Sequence, residues 1–441
     1  MKSPELLAPA GTLRNMRYAF AYGADAVYAG MPRYSLRVRN NDFLEDNLRV
    51  GVDEAHRQGR QFFVATNVMP HGAKLKTFVD DIAPVVAMAP DALIMADPGL
   101  IMLVRERWPE MPVHLSVQAN TVNAAGVKFW QSIGLTRVIL SRELSLVEVA
   151  EFRQACPDME IEVFVHGALC IAYSGRCLLS GYFNHRDANQ GTCTNSCRWD
   201  YKIARKDLDA VAALPPVEIP LAEIGRHPRA DEVYYLEERE RPGEFMPIFE
   251  DEHGTYIMNS RDLRAVEHVH RLTEMGVDCL KIEGRTKSHY YTARTTQVYR
   301  RAIDDAVAGR AFDPALLGEL EHLANRGYTD GFFQRHASQE LQSYRQGAST
   351  STQSQFVAEV TGVDPLTGLT SLAVKNKFRV GDEMELVSPQ GNRRFRLETM
   401  RDKNGNPLDE APGGGWQVSV QLPCVADEMA LLTRCVGVPV V

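Results

Sequence analysis

The sequence predicts an α/β protein whose main part is a (β/α)8 TIM-like barrel, with a segment inserted after the seventh strand and a small C-terminal β-barrel domain. Across the first 170 residues, short apolar runs alternate with segments of helical spacing, and an eighth run follows only at 277–284. This alternation is typical of a parallel sheet covered by helices. Eight strand–helix units favour a barrel, and a doubly wound sheet is the alternative.

The eight runs share an apolar body and a small or polar end. In chain order they are ELLAPAG (5–11), ADAVYAG (24–30), QFFVATN (61–67), DALIMAD (91–97), VHLSVQA (113–119), RVILS (137–141), IEVFVHG (161–167) and VDCLKIEG (277–284). Between them, apolar residues recur three or four positions apart, as in Leu13, Met16 and Phe20, which indicates amphipathic helices. A further helix is predicted from about 288 to 309.

The domain boundaries follow from composition. Residues 1–337 form the predicted barrel domain, of which about 168–260 are the insertion. Such an insertion grows from a loop at the C-terminal ends of the strands, where barrel enzymes place their chemistry. Residues 338–355 are polar and predict a linker. Residues 356–441 alternate strand-like runs with Gly, Asn and Pro, which predicts the small β-barrel.

Four cysteines lie within 28 residues of the insertion, with the spacing C-x6-C-x15-C-x3-C. They are Cys170, Cys177, Cys193 and Cys197. The N-terminus has no long apolar stretch of a secretory signal, so we expect a cytoplasmic protein without a membrane partner, where structural disulfides are disfavoured. Zinc sites usually present two short cysteine pairs, whereas iron–sulfur enzymes tolerate long uneven spacings. The spacing favours an iron–sulfur cluster, with zinc and unligated thiols as alternatives.

Polar side chains close the predicted strands, and in a barrel the ends of parallel strands meet at one mouth. They include Asn67, Asp97, Gln118, Asn120, Arg142, Glu143, His166, Lys281, Glu283 and Arg285, and the segment after the second strand adds Arg39. Converging arginines suit a ligand with carboxylates or phosphates, because the guanidinium group binds both in bidentate fashion. His166 is expected to be a general acid or base, a contact to a base, or a group behind the metal; a buried core histidine is the alternative.

The net charge of −8 is unevenly distributed. Residues 205–252 hold six basic and thirteen acidic residues, whereas 281–310 hold seven basic against three acidic and 370–405 hold eight against five. A basic surface that binds nucleic acid is therefore compatible with an acidic protein. Solvated helix faces are the alternative interpretation of the same runs.

Several motifs carry a resemblance to a known family. ELLAPAG, ADAVYAG, KIEGR, GYTDGFF and, above all, EVFVHGALCIAYSGRCLLSGYFNHRDANQGTCTNSCRWDY resemble the family first named as collagenase-like peptidases. The likeness covers essentially the whole chain. NQGTCTNSCRW and the length of 441 residues are most similar to the members that act on tRNA.

The resemblance implies a tRNA hydroxylase that forms 5-hydroxyuridine at the wobble position. It also implies dependence on prephenate, as co-substrate or cofactor, and on the iron–sulfur assembly machinery. Relatives in anaerobic ubiquinone synthesis carry a [4Fe–4S] cluster on four cysteines. Three of those positions match Cys170, Cys177 and Cys193, and Cys197 is then the fourth ligand, as in a second relative.

If the chain is a tRNA hydroxylase of this kind, roles can be assigned to its candidate site residues. The catalytic groups are His166 and Glu283, and the substrate-binding groups are Arg142, Lys281, Arg285, Gln118, Asn120 and Arg39. The basic helix after 287 and the C-terminal domain are expected to hold the anticodon stem-loop through its phosphates. Two alternatives stay open, a peptidase of this family and a zinc-stabilised RNA-binding module. The first needs an activated nucleophile or a metal-bound water, and no G-x-S-x-G or H-E-x-x-H motif is present.

Overall fold

A computed structural model gives the fold of the chain. It describes residues 1–31, 33–36, 42–169, 261–325, 327–334, 354–424 and 429–436, together with the backbone of five short strands between 201 and 255. Cys170, Cys177, Cys193, Cys197 and Arg39 lie outside the described residues, as does most of the predicted linker.

Eight parallel strands close into a barrel, which confirms the predicted fold class. The first seven are β1 (Glu5–Pro9), β2 (Ala26–Gly30), β3 (Gln61–Thr66), β4 (Ala92–Met95), β5 (Val113–Leu115), β6 (Arg137–Ile139) and β7 (Glu160–Ala168). The inserted strands are β8 (Tyr201–Arg205), β9 (Tyr234–Glu238), β10 (Phe245–Ile248), β11 (Glu250–Asp251), β12 (Gly254–Thr255) and β13 (Asp262–Arg264). The eighth barrel strand, β14 (Cys279–Ile282), pairs in parallel with both β1 and β7 and so closes the ring.

The insertion extends the sheet on one side of the barrel. Strand β13 pairs antiparallel with β7, and β15 (Tyr328–Thr329) pairs in parallel with β13. Strands β8, β9 and β10 form a separate antiparallel sheet, and β11 pairs with β12. The chain therefore leaves the barrel after β7 and returns along the same strand before it forms β14.

Helices cover the outside of the barrel. They are α1 (Leu13–Ala21), α2 (Glu45–Arg57), α3 (Gly72–Leu75), α4 (Phe78–Ala87), α5 (Pro98–Arg107), α6 (Ala124–Ser132), α7 (Leu146–Ala155), α8 (Val269–Glu274), α9 (His289–Val307) and α10 (Ala315–Glu321). Side chains of Thr12, Asp97 and Ser288 accept a backbone N–H in the first turn of α1, α5 and α9, which fixes where each helix begins. None of the described helices has the length and hydropathy that a membrane span requires.

The C-terminal domain is antiparallel and has its own core. Its strands are β16 (Ser354–Val363), β17 (Thr370–Val374), β18 (Phe378–Arg379), β19 (Glu383–Val387), β20 (Arg393–Arg396), β21 (Met400–Asp402), β22 (Glu410–Ala411), β23 (Gln417–Val420) and β24 (Leu431–Cys435). Seven of them form one sheet in the order β20-β19-β24-β16-β17-β23-β21. Val357, Leu372, Phe378 and Met384 are fully buried in its core. The first strand begins at Ser354, two residues before the predicted boundary.

Helix α9 connects the two domains through buried polar contacts. Arg294 has no exposed surface and donates from Nη2 to Glu385 of β19 at 3.0 Å. Gln297 Nε2 donates to the Ser388 carbonyl at 2.8 Å, and Tyr22, which follows α1, donates from Oη to the Val387 carbonyl at 2.9 Å. The expectation that this basic helix holds RNA phosphates is therefore wrong for Arg294, because its charge is neutralised by Glu385 inside the interface.

A second ion cluster joins the domains near the beginning of α9. Glu359 of β16 is almost fully buried and contacts Arg14 of α1, and His289 Nε2 lies 2.6 Å from Glu359 Oε1. Burial opposes ionisation of this carboxyl group, but the hydrogen bond from His289 and the charges of His289 and Arg14 outweigh it and lower the pKa of Glu359 to about 2. The carboxylate therefore stays charged at neutral pH and holds the two domains together.

Replacement of Glu385 should show how much the interface depends on its buried ion pair. We expect Glu385→Ala to lower the free energy of unfolding by about 3–5 kcal/mol, because it leaves Arg294 charged and buried without its counter-ion. Glu383 lies on the same strand but is exposed, so Glu383→Ala should change that free energy by less than about 0.5 kcal/mol. Urea unfolding measures both, and equal effects of the two substitutions would contradict the assignment.

Candidate functional site

A polar pocket, partly open to solvent, lies at the C-terminal ends of the barrel strands. Its polar lining consists of Tyr28, Asn67, Ser116, Gln118, Arg142, Lys281, Glu283 and Arg285. Six of these were predicted from their positions at strand ends, and only Tyr28 and Ser116 were not. The barrel closure brings them together, because β14 lies between β7 and β1.

Lys281 is held at the bottom of the pocket by a carboxylate and a ring. Its Nζ lies 2.7 Å from Oε1 of Glu162, and both side chains are almost completely buried. The ammonium group also lies over the Tyr28 ring, 4.2 Å from its centroid. A cation placed over an aromatic face is attracted by the ring quadrupole. The charge of Lys281 is therefore fixed in position at the pocket.

Arg285 lies beside Lys281 and depends on a glycine. Its Nη1 donates to Ser35 Oγ at 2.6 Å, and its guanidinium carbon lies 5.6 Å from the centroid of the Tyr28 ring. A Cβ atom on Gly30 would lie 2.4 Å from that Nη1, too close for any real contact. The absence of a side chain at Gly30 is what lets the arginine pass along the end of β2.

Arg142 provides the third cation. Its guanidinium carbon lies 4.0 Å from the centroid of the Phe164 ring, Nη1 donates to the Ala168 carbonyl at 2.7 Å, and Nη2 lies 3.8 Å from Glu283 Oε2. Glu283 is the one carboxylate in the described lining. Because Lys281 is paired with Glu162, Arg142 and Arg285 against Glu283 leave the pocket with a net positive charge, which suits an anionic ligand.

A buried chain of charges lies below the pocket, inside the barrel. Glu162 contacts Lys281 on one side and Arg137 Nη1 on the other, at 3.4 Å, and Arg137 also contacts Glu5 at 2.7 Å. Burial, with the charges of Arg137 and Lys281, lowers the pKa of His114 well below its usual value. Sequence reasoning missed Glu162 and Arg137. The available signal was an acidic residue, Glu162, within the apolar run IEVFVHG.

His166 does not line the pocket. It is buried on the outer side of β7, where its ring packs against Tyr291, Tyr299 and Tyr328, and its Nδ1 lies 3.3 Å from Tyr299 Oη. Burial, followed by the charges of Lys287 and Arg264, lowers its pKa to about 3, so the ring is neutral at physiological pH. The general acid or base role predicted for His166 has no support from this position, which corresponds to the buried core histidine.

Comparison with known proteins places the chain in a family. Residues 11–343 match Peptidase family U32, and residues 352–434 match the Peptidase family U32 C-terminal domain. The chain belongs to peptidase family U32. This confirms the family predicted from the motifs.

Three relatives within the U32 family have informative names. The chain is 62% identical to the tRNA hydroxylation protein P of Escherichia coli strain K12, over 96% of this chain and 94% of the relative. It is 36% identical to the tRNA hydroxylation protein P1 of Bacillus subtilis strain 168, over 93% and 90%. The 23S rRNA 5-hydroxycytidine C2501 synthase of E. coli K12 is 30% identical over 75% of this chain and 42% of its own length.

The described residues of the pocket do not include the groups that peptidase activity, suggested by the name of the U32 family, would require. The described lining contains neither histidine nor cysteine, and its serine, Ser116, hydrogen-bonds Gln118. A serine or cysteine hydrolase needs a nucleophile beside a general base. The described pocket of this U32 protein therefore lacks a hydrolytic pair.

The remaining predicted residues of the U32 chain have different outcomes. Asn120 has a left-handed backbone, with φ of 49°, at the end of a short 3-10 turn, and it does not line the pocket. Cys156 and Cys279, which are not part of the cysteine cluster, are buried, and free cysteine is commonly buried as a small apolar side chain. Arg39 and the four clustered cysteines lie outside the described residues, so their predicted roles stay predictions.

The charge chain below the pocket can be tested by two matched substitutions. We expect Glu162→Gln to lower the free energy of unfolding by about 3 kcal/mol, because Lys281 and Arg137 lose the counter-ion that lies between them. Glu160→Gln removes a half-exposed contact to the same Arg137 and should cost less than about 1 kcal/mol. Denaturant unfolding measures both, and a Glu162→Gln effect no larger than that of Glu160→Gln would contradict a structural role for the chain.

Proposed function

We propose that this protein is a tRNA hydroxylase that converts the wobble uridine to 5-hydroxyuridine and uses prephenate. The relatives named for tRNA hydroxylation support the reaction class, because they match almost the whole chain. The observation that carries the proposal is the convergence of Arg142, Lys281 and Arg285 on a pocket without a hydrolytic pair.

Prephenate is a dicarboxylate, and the pocket offers suitable partners. Arg142 and Arg285 can each donate two parallel hydrogen bonds to a carboxylate, and Lys281 adds a point charge. Ser35 and the Phe164 ring already hold the two guanidinium groups in place. Less side-chain freedom is therefore lost when the ligand binds.

Two amides and one carboxylate are the remaining polar groups for the substrate. Asn67 Nδ2 donates to Gln118 Oε1 at 3.0 Å, which orients both amides at the ends of β3 and β5. Such amides can pair with polar edges of a base or with the ring oxygen of a small ligand. In this proposal Glu283 accepts the proton that leaves the pyrimidine, since it is the carboxylate of the described lining.

The four clustered cysteines are the proposed ligands of a [4Fe–4S] cluster. Cys170 follows the end of β7 by two residues in the sequence, and this end of β7 lies at the same face of the barrel as the pocket. Four thiols match the donor set of such a cluster, which when bound supplies one-electron redox chemistry. Arg142 is bound to the Ala168 carbonyl and thereby links this end of β7 to the pocket.

Nucleoside mass spectrometry of tRNA tests the reaction. A strain that lacks the gene and any redundant pathway should lose 5-hydroxyuridine at the wobble position, and the wild-type gene should restore it. We expect Arg285→Gln to weaken prephenate binding by about 100-fold, since a buried charged hydrogen-bond donor is lost. Arg60→Gln, at the opposite end of the barrel, should behave as wild type. Unchanged wobble uridine hydroxylation after deletion would refute the proposal.

Iron content and absorbance test the cluster. Anaerobically purified protein should absorb broadly near ~400 nm and contain about four irons per chain. Cys197→Ala should lose iron, whereas Cys424→Ala, in the C-terminal domain, should keep it. Colourless protein that contains zinc would instead favour a zinc-stabilised RNA-binding module.

A further inference from the structure

A second polar cleft lies between the barrel and the C-terminal domain. It is broadly open to solvent and lies between helices α9 and α10 and the end of the β19–β20 hairpin. Its basic lining consists of Arg294, Arg300, Arg301 and Arg394. No residue predicted for the catalytic pocket contributes to it, so the cleft is a separate feature.

The inner wall of the cleft has neutralised charges. Its three acidic residues, Asp304, Glu319 and Glu385, each pair with an arginine of α9, namely Arg300, Arg301 and Arg294. Arg294 Nη1 is buried and has no hydrogen-bond partner among the described residues, and the same is true of Gln297 Oε1. The inner wall is therefore polar and has a hydrogen-bond donor and an acceptor without partners among the described residues. Its net charge is small, because its acidic residues are paired with arginines.

The rim of the cleft supplies the surplus positive charge. Arg394 and Arg396 of β20 oppose Glu385 and Glu383 of β19, so they lie on the sheet face that carries Glu385 toward α9. Phe395 points the other way, into the core of the domain. Both arginines are exposed, and neither forms an ion pair or hydrogen bond within the described chain. Exposed Glu383 offsets one of the two charges, and the other is unbalanced.

Strand β20 is also an edge strand. In the described part of the sheet it pairs only with β19, so its outer backbone groups face away from the sheet. Backbone N–H groups and arginines are both common donors to phosphate oxygens in nucleic-acid complexes. An anionic polymer can therefore bind this edge without displacing a protein strand.

We propose that the edge strand β20 and the adjoining cleft bind backbone phosphates of the tRNA, away from the base that reacts. The inference rests on the proposed function, since that function supplies the RNA. Neither Arg394 nor Arg396 lines the catalytic pocket, whose described residues all belong to the barrel domain. The surface therefore contributes affinity and orientation rather than recognition of the base.

The salt dependence of tRNA binding tests this surface. Each lost phosphate contact lowers the slope of log affinity against log salt by about 0.7–0.9. The double variant Arg394→Glu/Arg396→Glu should reduce the slope by about 1.5 and weaken tRNA binding by at least roughly tenfold at low salt. The milder double variant Arg394→Gln/Arg396→Gln should also reduce the slope and weaken tRNA binding. Prephenate binding should be unaffected in all variants.

A matched control separates local contacts from overall charge. Arg57→Glu/Lys128→Glu makes the same change of charge on exposed positions of α2 and α6, and it should leave the slope unchanged. Suppose that the wild-type protein binds and modifies tRNA, but the two charge-reversal variants show equal slopes. This result would overturn the inference and leave the proposed function standing. Wild type that neither binds nor modifies tRNA would overturn both. Thermal unfolding of each variant confirms that it is folded.

Discussion

The buried carboxylate of Glu162 is the interaction on which the site depends. It has no exposed surface and lies between Lys281 and Arg137, two buried cations whose charges it helps to compensate. An unpaired charge inside a protein is far more costly than a paired one. Because β7 carries Glu162, β14 carries Lys281 and β6 carries Arg137, the ion chain also specifies which strands meet when the barrel closes.

This arrangement explains how a pocket can hold three cations in a folded protein. Lys281 is compensated from below, Arg142 lies against Glu283 and the Phe164 ring, and Arg285 is bound to Ser35. Each group is fixed before any ligand arrives, so binding of an anion requires little reorganisation. The same preorganisation suits stabilisation of negative charge that develops during a reaction.

The pocket residues at the strand ends could be predicted because the geometry of a parallel barrel is regular. The direction of the His166 side chain could not be predicted in this way. Simple alternation along β7 places His166 on the same face as Glu162 and Phe164. The pairing of β7 with β14 shifts between Lys281 and Ile282, so His166 pairs with Ile282 and turns outward to the tyrosines of α9. A bulge of this kind depends on two strands far apart in sequence, and local patterns do not reveal it.

The burial of the first part of α9 could not be predicted from the sequence either, because two of its basic residues pair with acidic residues of another domain. Glu385 and Glu359 come from the C-terminal sheet, and their partners Arg294 and His289 lie within the first two turns of α9. That helix follows directly after Arg285, so the element that positions the pocket also fixes the C-terminal domain. A ligand that contacts edge strand β20 therefore has a fixed position relative to the pocket. The buried ion pairs Arg294–Glu385 and His289–Glu359 resist sliding of one domain on the other. The C-terminal domain is best understood as a fixed part of the site's geometry.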